Sequence, residues 1–273
     1  MDLLQLGQWS YIPEVPDSIA PARRLLQTYS KLPAEDVDRH ILQVREEAWN
    51  ITRFPCIGRW RFLSLLDTSE AFYRQILFRL TVPKSADALL DLGCGVGQVL
   101  RQLRAEGVND SQLYGTDIEP RLVDLGYDLF QDRHQLNARF VFGDVVDPDD
   151  TRFTTLRGKI TMVHATSFFH LFNWVQQLYI GKRIVGFLKP GTRNAVIFGR
   201  QMGTTKPSDS AVRSAAPYLH DGLSFQRLWD EIGRMTRTKW LVQLTALDEP
   251  VDDLAGVLPQ HTAPYSFAIY QLP

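Results

Sequence analysis

The chain has 273 residues, 44% hydrophobic and 22% charged, with a formal net charge of −1. That length suits one large domain, or one core with a helical annex, and the near-neutral balance argues against a phosphate-backbone partner such as a nucleic acid. No run approaches the roughly 20 apolar residues that cross a bilayer. The start, MDLLQLGQWSYIPEVPD, lacks the basic-then-apolar order of a secretory signal, and the two cysteines, Cys56 and Cys94, lack a metal-ligand spacing. A reduced, soluble, cytoplasmic protein without a structural metal is expected.

The first 84 residues read as helical. Ile19, Ala22, Leu25, Leu26, Tyr29 and Leu32 recur at helical spacing behind Ser18, a candidate N-cap. Val37, Ile41, Val44, Ala48 and Trp49 do the same behind an acidic first turn, and Phe72, Tyr73, Ile76, Leu77 and Leu80 mark a third helix. Between them RFPCIGRWRFL is aromatic and basic, its pattern broken by Pro55 and Gly58. No strand is expected before Pro83.

Beyond Pro83 strands and helices alternate. ADALLDLG, LYGTDI, ARFVFGDVV, KITMVHATSFFHLF and NAVIFGRQM read as strands, separated by helices in QVLRQLRAEG, PRLVDLGYDLFQDRH and WVQQLYIGKRIVGFLKPG. GTTKPSDSAVRSAAP reads as a mobile loop, LSFQRLWDEIGRM as a helix, and KWLVQLTAL and SFAIYQL as closing strands. Alternation implies a parallel sheet covered on both faces, and the last two strands, lacking room for a crossover helix, should pair antiparallel. The expected architecture is α/β: a Rossmann-like, mostly parallel sheet in residues 85–273 behind a helical cap in residues 1–84.

LLDLGCGVGQVL carries the first chemical signal. A dinucleotide fingerprint would place a glycine at position 98, where Gln98 stands, and Asp91 would repel a pyrophosphate. Gly93, Gly95 and Gly97 with Asp91 suit a ligand that is cationic or zwitterionic at that end. Asp117 ends LYGTDI, where a carboxylate accepts from both ribose hydroxyls, with a helix N-cap role as its alternative. Asp144 follows FVFG, where it would accept from an adenine amine with Val145 beside the ring; a surface turn is its alternative. A nucleoside with a charged amino-acid tail fits all three positions: S-adenosylmethionine.

The Asp-x-Gly-x-Gly-x-Gly word at Asp91–Gly97, the acidic end at Asp117 and the Gly143–Asp144 pair resemble the class I S-adenosylmethionine-dependent methyltransferases over residues 85–273. The resemblance implies that Asp91, Gly93, Gly95, Gly97, Asp117, Ile118, Asp144 and Val145 bind the cofactor. The front, with FPCIGRWRFL, and ATSFFHLFNW resemble a group of fungal methyltransferases from meroterpenoid and polyketide-terpenoid gene clusters. That likeness implies methyl-ester formation on a small apolar carboxylate, a cap acting as substrate lid, and a homodimer.

His170, in the segment after the fourth strand, is the candidate catalytic residue, with loop packing as its alternative; His164 is expected within or at the end of that strand. A phenol near pKa 10 needs a base, which a histidine near about 6.5 supplies, whereas a carboxylate needs only positioning. Phe168, Phe169 and Phe172 either line an apolar pocket or fill the core. Arg53, Arg59 and Arg61 either pair a carboxylate or lie solvated, and Tyr11 and Tyr73 are candidates to close over the cofactor. Three rivals are a phenol O-methyltransferase, a rearrangement or cyclisation with the cofactor held structurally, and a non-catalytic partner.

Overall fold

The computed structural model describes residues 9–207, 212–248 and 261–273. Four stretches of the loop GTTKPSDSAVRSAAP fare differently: Gly203 and Thr204 end a strand, Thr205–Pro207 and residues 212–217 follow the chain on either side, and residues 208–211 lie outside the described residues.

Among the described residues the helices begin with α1 (Ala20–Thr28), α2 (Ala34–Ile51), the single turn α3 (Pro55–Gly58) and α4 (Ala71–Thr81). Each of the three longer ones buries the stripe its spacing predicts: Ala22, Leu25 and Leu26 in α1, Val37, Ile41, Val44 and Ala48 in α2, and Tyr73, Ile76 and Leu80 in α4. Ser18 is not the cap of α1. It lies inside a 3₁₀ turn, Asp17–Ile19, which runs directly into the helix, and Pro21 in the first helical turn supplies the start instead.

The α/β part follows with β1 (Leu89–Leu92), α5 (Gln98–Ala105), β2 (Leu113–Asp117), α6 (Pro120–Phe130), β3 (Arg139–Phe142), β4 (Met162–His164), α7 (Trp174–Phe187), β5 (Val196–Thr204), α8 (Gly222–Thr236), β6 (Lys239–Ala246) and β7 (Thr262–Leu272). The strands form one seven-stranded sheet in the order β3-β2-β1-β4-β5-β7-β6. β2–β3, β1–β4 and β4–β5 pair in parallel, whereas β7 runs antiparallel to both β5 and β6. The chain winds from β1 outward to β3, then returns to β4 on the other side of β1. In open sheets of this kind, ligands bind outside the carboxyl ends of the strands where the order reverses.

Contacts divide the chain into two compact units, one drawing on residues up to Asp87 with Cys94–Phe142, the other on Ala88–Gly93 with Gly143–Pro273. In the first, the amino-terminal helices share an apolar core with α6: Leu26, Ile41, Ile57 and Trp60 are buried with Leu122, Leu129 and Phe130. This unit holds a fully buried ion pair. Arg101 of α5 and Asp132 are 0% and 1% exposed, joined by two hydrogen bonds of 2.9 and 3.0 Å. The Tyr29 hydroxyl at the end of α1 donates to the same carboxylate at 2.9 Å, and burial, then the Asp132 charge, raises the Tyr29 pKa. The Arg101 guanidinium also donates to the carbonyls of Val96 and Gly97, at 2.8 and 3.3 Å.

In the second unit, α7 and α8 start with capping boxes, Asn173 with Gln176 and Asp221 with Ser224. The helices pack closely at Gly181, where a Cβ would lie 2.2 Å from the Ile232 side chain. Phe169, Phe225, Trp229 and Phe267 form an aromatic core with edge-on ring pairs.

The buried pair is the sharpest test of this packing. Removing one partner strands a charge in the interior, so Asp132→Ala should lower unfolding free energy by about 3–5 kcal/mol. Tyr29→Phe, which removes one hydrogen bond, should cost about 1 kcal/mol. Denaturant unfolding measures both; equal small losses would show the pair to be dispensable.

Candidate active site

β1 is buried along its whole length, and it carries a carboxylate into that environment: Asp91 is 3% exposed. One of its oxygens, Oδ1, lies 2.7 Å from His164 Nδ1 at the carboxyl end of β4, where the two strands pair at Asp91 and His164. The other, Oδ2, is buried with no hydrogen-bond partner among the described residues. A buried carboxylate oxygen with an open acceptor position calls for a donor, preferably a cationic one.

The three glycines after Asp91 all have positive φ, 75°, 54° and 67°, and differ in what a side chain would meet. At Gly93 a Cβ would fall 2.8 Å from the Phe168 ring, so this glycine admits an aromatic from the segment after β4. At Gly97 it would meet the Arg101 guanidinium at 2.7 Å, so this glycine admits the cation that holds the turn. At Gly95 it would meet nothing within 4 Å, which leaves open space beside the backbone. The turn is closed by Gly97 N donating to Cys94 O at 2.8 Å.

Asp117 is tied to this turn. Its Oδ2 accepts from Gly95 N at 2.8 Å, and Oδ1 accepts from Glu119 N at 3.0 Å. It is not the helix N-cap: Glu119 caps α6 by accepting from Arg121 N at 3.1 Å, ahead of Pro120. Ile118, beside it, is 62% exposed, unusual for an apolar residue of its size.

Asp144 lies two residues past β3, half-buried, in a tight turn where Oδ1 accepts from Val146 N at 3.0 Å. Its backbone N donates to Asp150 Oδ2 at 3.0 Å. The Arg152 guanidinium, bonded to both Asp150 oxygens at 2.8 and 2.6 Å, holds the Asp150 carboxyl down to about 2, so this acceptor persists through mildly acidic pH. Arg183 of α7 fixes the same loop by donating to Val145 O at 3.0 Å and Asp150 O at 2.8 Å. Val145 itself is buried.

His170 is half-buried in a single 3₁₀ turn, Phe169–Leu171. The run KITMVHATSFFHLF is therefore not one strand; β4 has only three residues before the chain leaves the sheet. Phe169 belongs to the core, while Phe168 packs on Gly93 and lies 5.0 Å from the Phe172 ring.

Of the arginines singled out by sequence, Arg53 and Arg61 are exposed, and Arg59 donates to Trp9 O at 2.7 Å. A buried arginine of the amino-terminal helices is instead Arg45 of α2, which no motif in the sequence marks. Its guanidinium is stacked between the rings of Tyr11 and Trp60, at 4.0 and 3.8 Å, and donates to Ile12 O, Ile57 O and Gly58 O. Burial lowers its pKa. Tyr11 is thereby part of an arginine cage, and Tyr73 is buried with its pKa pushed up to about 12 by desolvation. Among the described residues no group of three or more His, Cys, Asp or Glu is placed to hold a metal ion. No described helix is long and apolar enough to cross a membrane.

Known proteins resemble this chain in sequence and in fold. Residues 10–63 match a family model described as a meroterpenoid methyltransferase N-terminal domain, and residues 89–191 match a methyltransferase domain. The chain is 36% identical to the O-methyltransferase phiE of Fungal sp. over 85% of its own length and 77% of that protein. It is 35% identical to the methyltransferase adrK of Penicillium roqueforti, covering 84% and 82%. It is also 34% identical to the asnovolin E/chermesin D methyltransferase nvfJ of Aspergillus novofumigatus, covering 80% and 78%. A similar fold is seen in the phosphoethanolamine N-methyltransferase 2 of Haemonchus contortus, solved with S-adenosyl-L-methionine, at a TM-score of 0.50 and 15% identity over 95% of this chain and 61% of that one. The chain belongs to the family of fungal S-adenosylmethionine-dependent methyltransferases that carry this N-terminal domain.

Proposed function

We propose that the protein transfers a methyl group from S-adenosylmethionine to an oxygen of a small apolar secondary metabolite, with a carboxylate as the acceptor. The observation that carries the donor side is the buried, unpartnered Oδ2 of Asp91. An α-ammonium group satisfies such an oxygen, and a phosphate does not. The open space beside Gly95, with Asp117 tied to that same turn, suits the rest of a nucleoside that bears an amino-acid tail.

On this reading Asp91 binds the ammonium end, and Gly93, Gly95 and Gly97 let backbone approach the tail. Asp117 accepts from the ribose hydroxyls, Ile118 and Val145 cover the adenine faces, and Asp144 accepts from the exocyclic amine. Bound, S-adenosylmethionine supplies a methyl carbon made electrophilic by its sulfonium. The chain's part is to orient an acceptor oxygen in line with that carbon and to exclude water, an advantage of proximity more than of proton transfer. A carboxylate arrives ionised, so His170 orients it as a hydrogen-bond donor; with a phenol, His170 would have to accept the proton. Support for an oxygen acceptor comes from relatives named as O-methyltransferases, phiE and atr3. An apolar acceptor suits Phe168, Phe172 and the exposed Leu171 on the segment after β4. The segment of residues 1–84 serves as the substrate lid, and the protein acts in the cytoplasm as a homodimer.

Two outcomes are expected. Asp117→Ala should raise the dissociation constant for S-adenosylhomocysteine about tenfold or more in calorimetry, through loss of charge-assisted hydrogen bonds; unchanged affinity would place the ribose elsewhere. With methyl-labelled cofactor and a panel of apolar carboxylic acids and phenols, label should appear in base-labile esters. His170→Ala should lower that activity by about tenfold or less. Label confined to phenol ethers, with activity abolished in His170→Ala, would overturn the carboxylate assignment in favour of phenol methylation.

A further inference from the structure

His164 belongs to no donor motif and has no role in the proposal above, yet it is a buried imidazole, 5% exposed, bonded on both ring nitrogens. Nδ1 faces Asp91 Oδ1 and Nε2 faces Thr166 Oγ1, each at 2.7 Å. The same Thr166 oxygen accepts from the backbone N–H of Arg200 at 3.2 Å. Thr166 Oγ1 thus links the Arg200 amide to Nε2, and the imidazole links that hydroxyl to Asp91.

The chain from Arg200 N–H through Thr166 and His164 thus ends on one oxygen of Asp91 and leaves the other unfilled. Its far end is anchored. Ser167, at φ 54°, holds a backbone conformation that a non-glycine residue adopts at a cost of about 1 kcal/mol or more. Ser167 N donates to Arg200 O at 2.7 Å, so Thr166 is pinned to β5 through both its hydroxyl and the following amide. The imidazole packs against the Phe198 ring at a centroid distance of 5.3 Å, which limits its rotation.

We propose that His164 is a positioning residue for the donor: with Thr166 it holds the Asp91 carboxylate turned so that Oδ2 receives the ammonium group of the cofactor's amino-acid tail. This rests on the assignment of that tail to Asp91. Without the His164 bond nothing among the described residues holds the direction of the Asp91 carboxyl group, and a misdirected oxygen makes a poorer charge-assisted hydrogen bond to an ammonium group. His164 therefore acts through Asp91 and touches neither donor nor acceptor.

The test compares two ligands in calorimetry: S-adenosylhomocysteine, which has the amino-acid tail, and 5′-methylthioadenosine, which lacks it. The wild-type protein should prefer S-adenosylhomocysteine. In His164→Phe its dissociation constant should rise about tenfold or more, with that of 5′-methylthioadenosine changing by less than about twofold. His164→Asn, which keeps a donor near the Nδ1 position, should restore much of the loss, and Thr166→Val should show a smaller loss of the same selectivity. If His164→Phe weakens both ligands equally, or neither, while the wild type still discriminates, His164 is only a packing residue and the inference fails. A wild type that does not discriminate would instead overturn the tail assignment, and the inference with it.

Discussion

A carboxylate buried at the tip of a fully buried strand must be compensated, and at Asp91 the compensation covers only half of the group. His164 satisfies Oδ1, and nothing among the described residues bonds to Oδ2. A structural aspartate would ordinarily have both oxygens filled, because an unfilled buried acceptor costs stability with no local return. The deficit lies at the carboxyl ends of β1 and β4, where the winding of the sheet reverses and where open α/β sheets receive ligands. The family assignment identifies the donor as S-adenosylmethionine.

The other compact unit solves a related problem in the opposite way. Arg101 brings a full positive charge into the interior, and there every partner is supplied: Asp132 on two bonds, the carbonyls of Val96 and Gly97, and the Tyr127 and Phe130 rings at 5.1 and 4.9 Å. Such a pair fixes geometry more than it adds net stability. What it fixes is the exit of the glycine turn into α5, and through Tyr29 it ties that turn to the first helix. The amino-terminal helices therefore do more than cover apolar surface: one of them completes the network that shapes the glycine turn.

Much of this could be read from sequence because the signals are local. Glycines at alternate positions after an apolar strand, and acidic residues just past the next two, follow from period and spacing alone, as do the helical stripes of α1, α2 and α4. The antiparallel pairing of the last two strands followed from their connection; that β7 would insert between β5 and β6 did not. Local signals also misled. Ser18 has the right chemistry for a cap but sits inside a 3₁₀ turn, and the apolar run Phe168–Phe169 extended the apparent fourth strand although its side chains fill the space beside Gly93 and the aromatic core. The long-range partners were out of reach. Asp91 and His164 are 73 positions apart, Arg101 and Asp132 are 31 apart, and no periodicity links either pair. Arg45 looked like one charge on a polar helix face, and only the fold reveals the Tyr11 and Trp60 rings around it.

The central claim is that the open oxygen of Asp91 is filled by the amino end of the methyl donor while His164 retains the other oxygen. A crystal structure of the protein with S-adenosylhomocysteine tests it most directly. The account predicts the ligand's ammonium nitrogen within hydrogen-bond distance of Asp91 Oδ2, with His164 Nδ1 still on Oδ1. A bound ligand whose amino group is held elsewhere, with Asp91 Oδ2 still unpartnered or His164 rotated away, would contradict it.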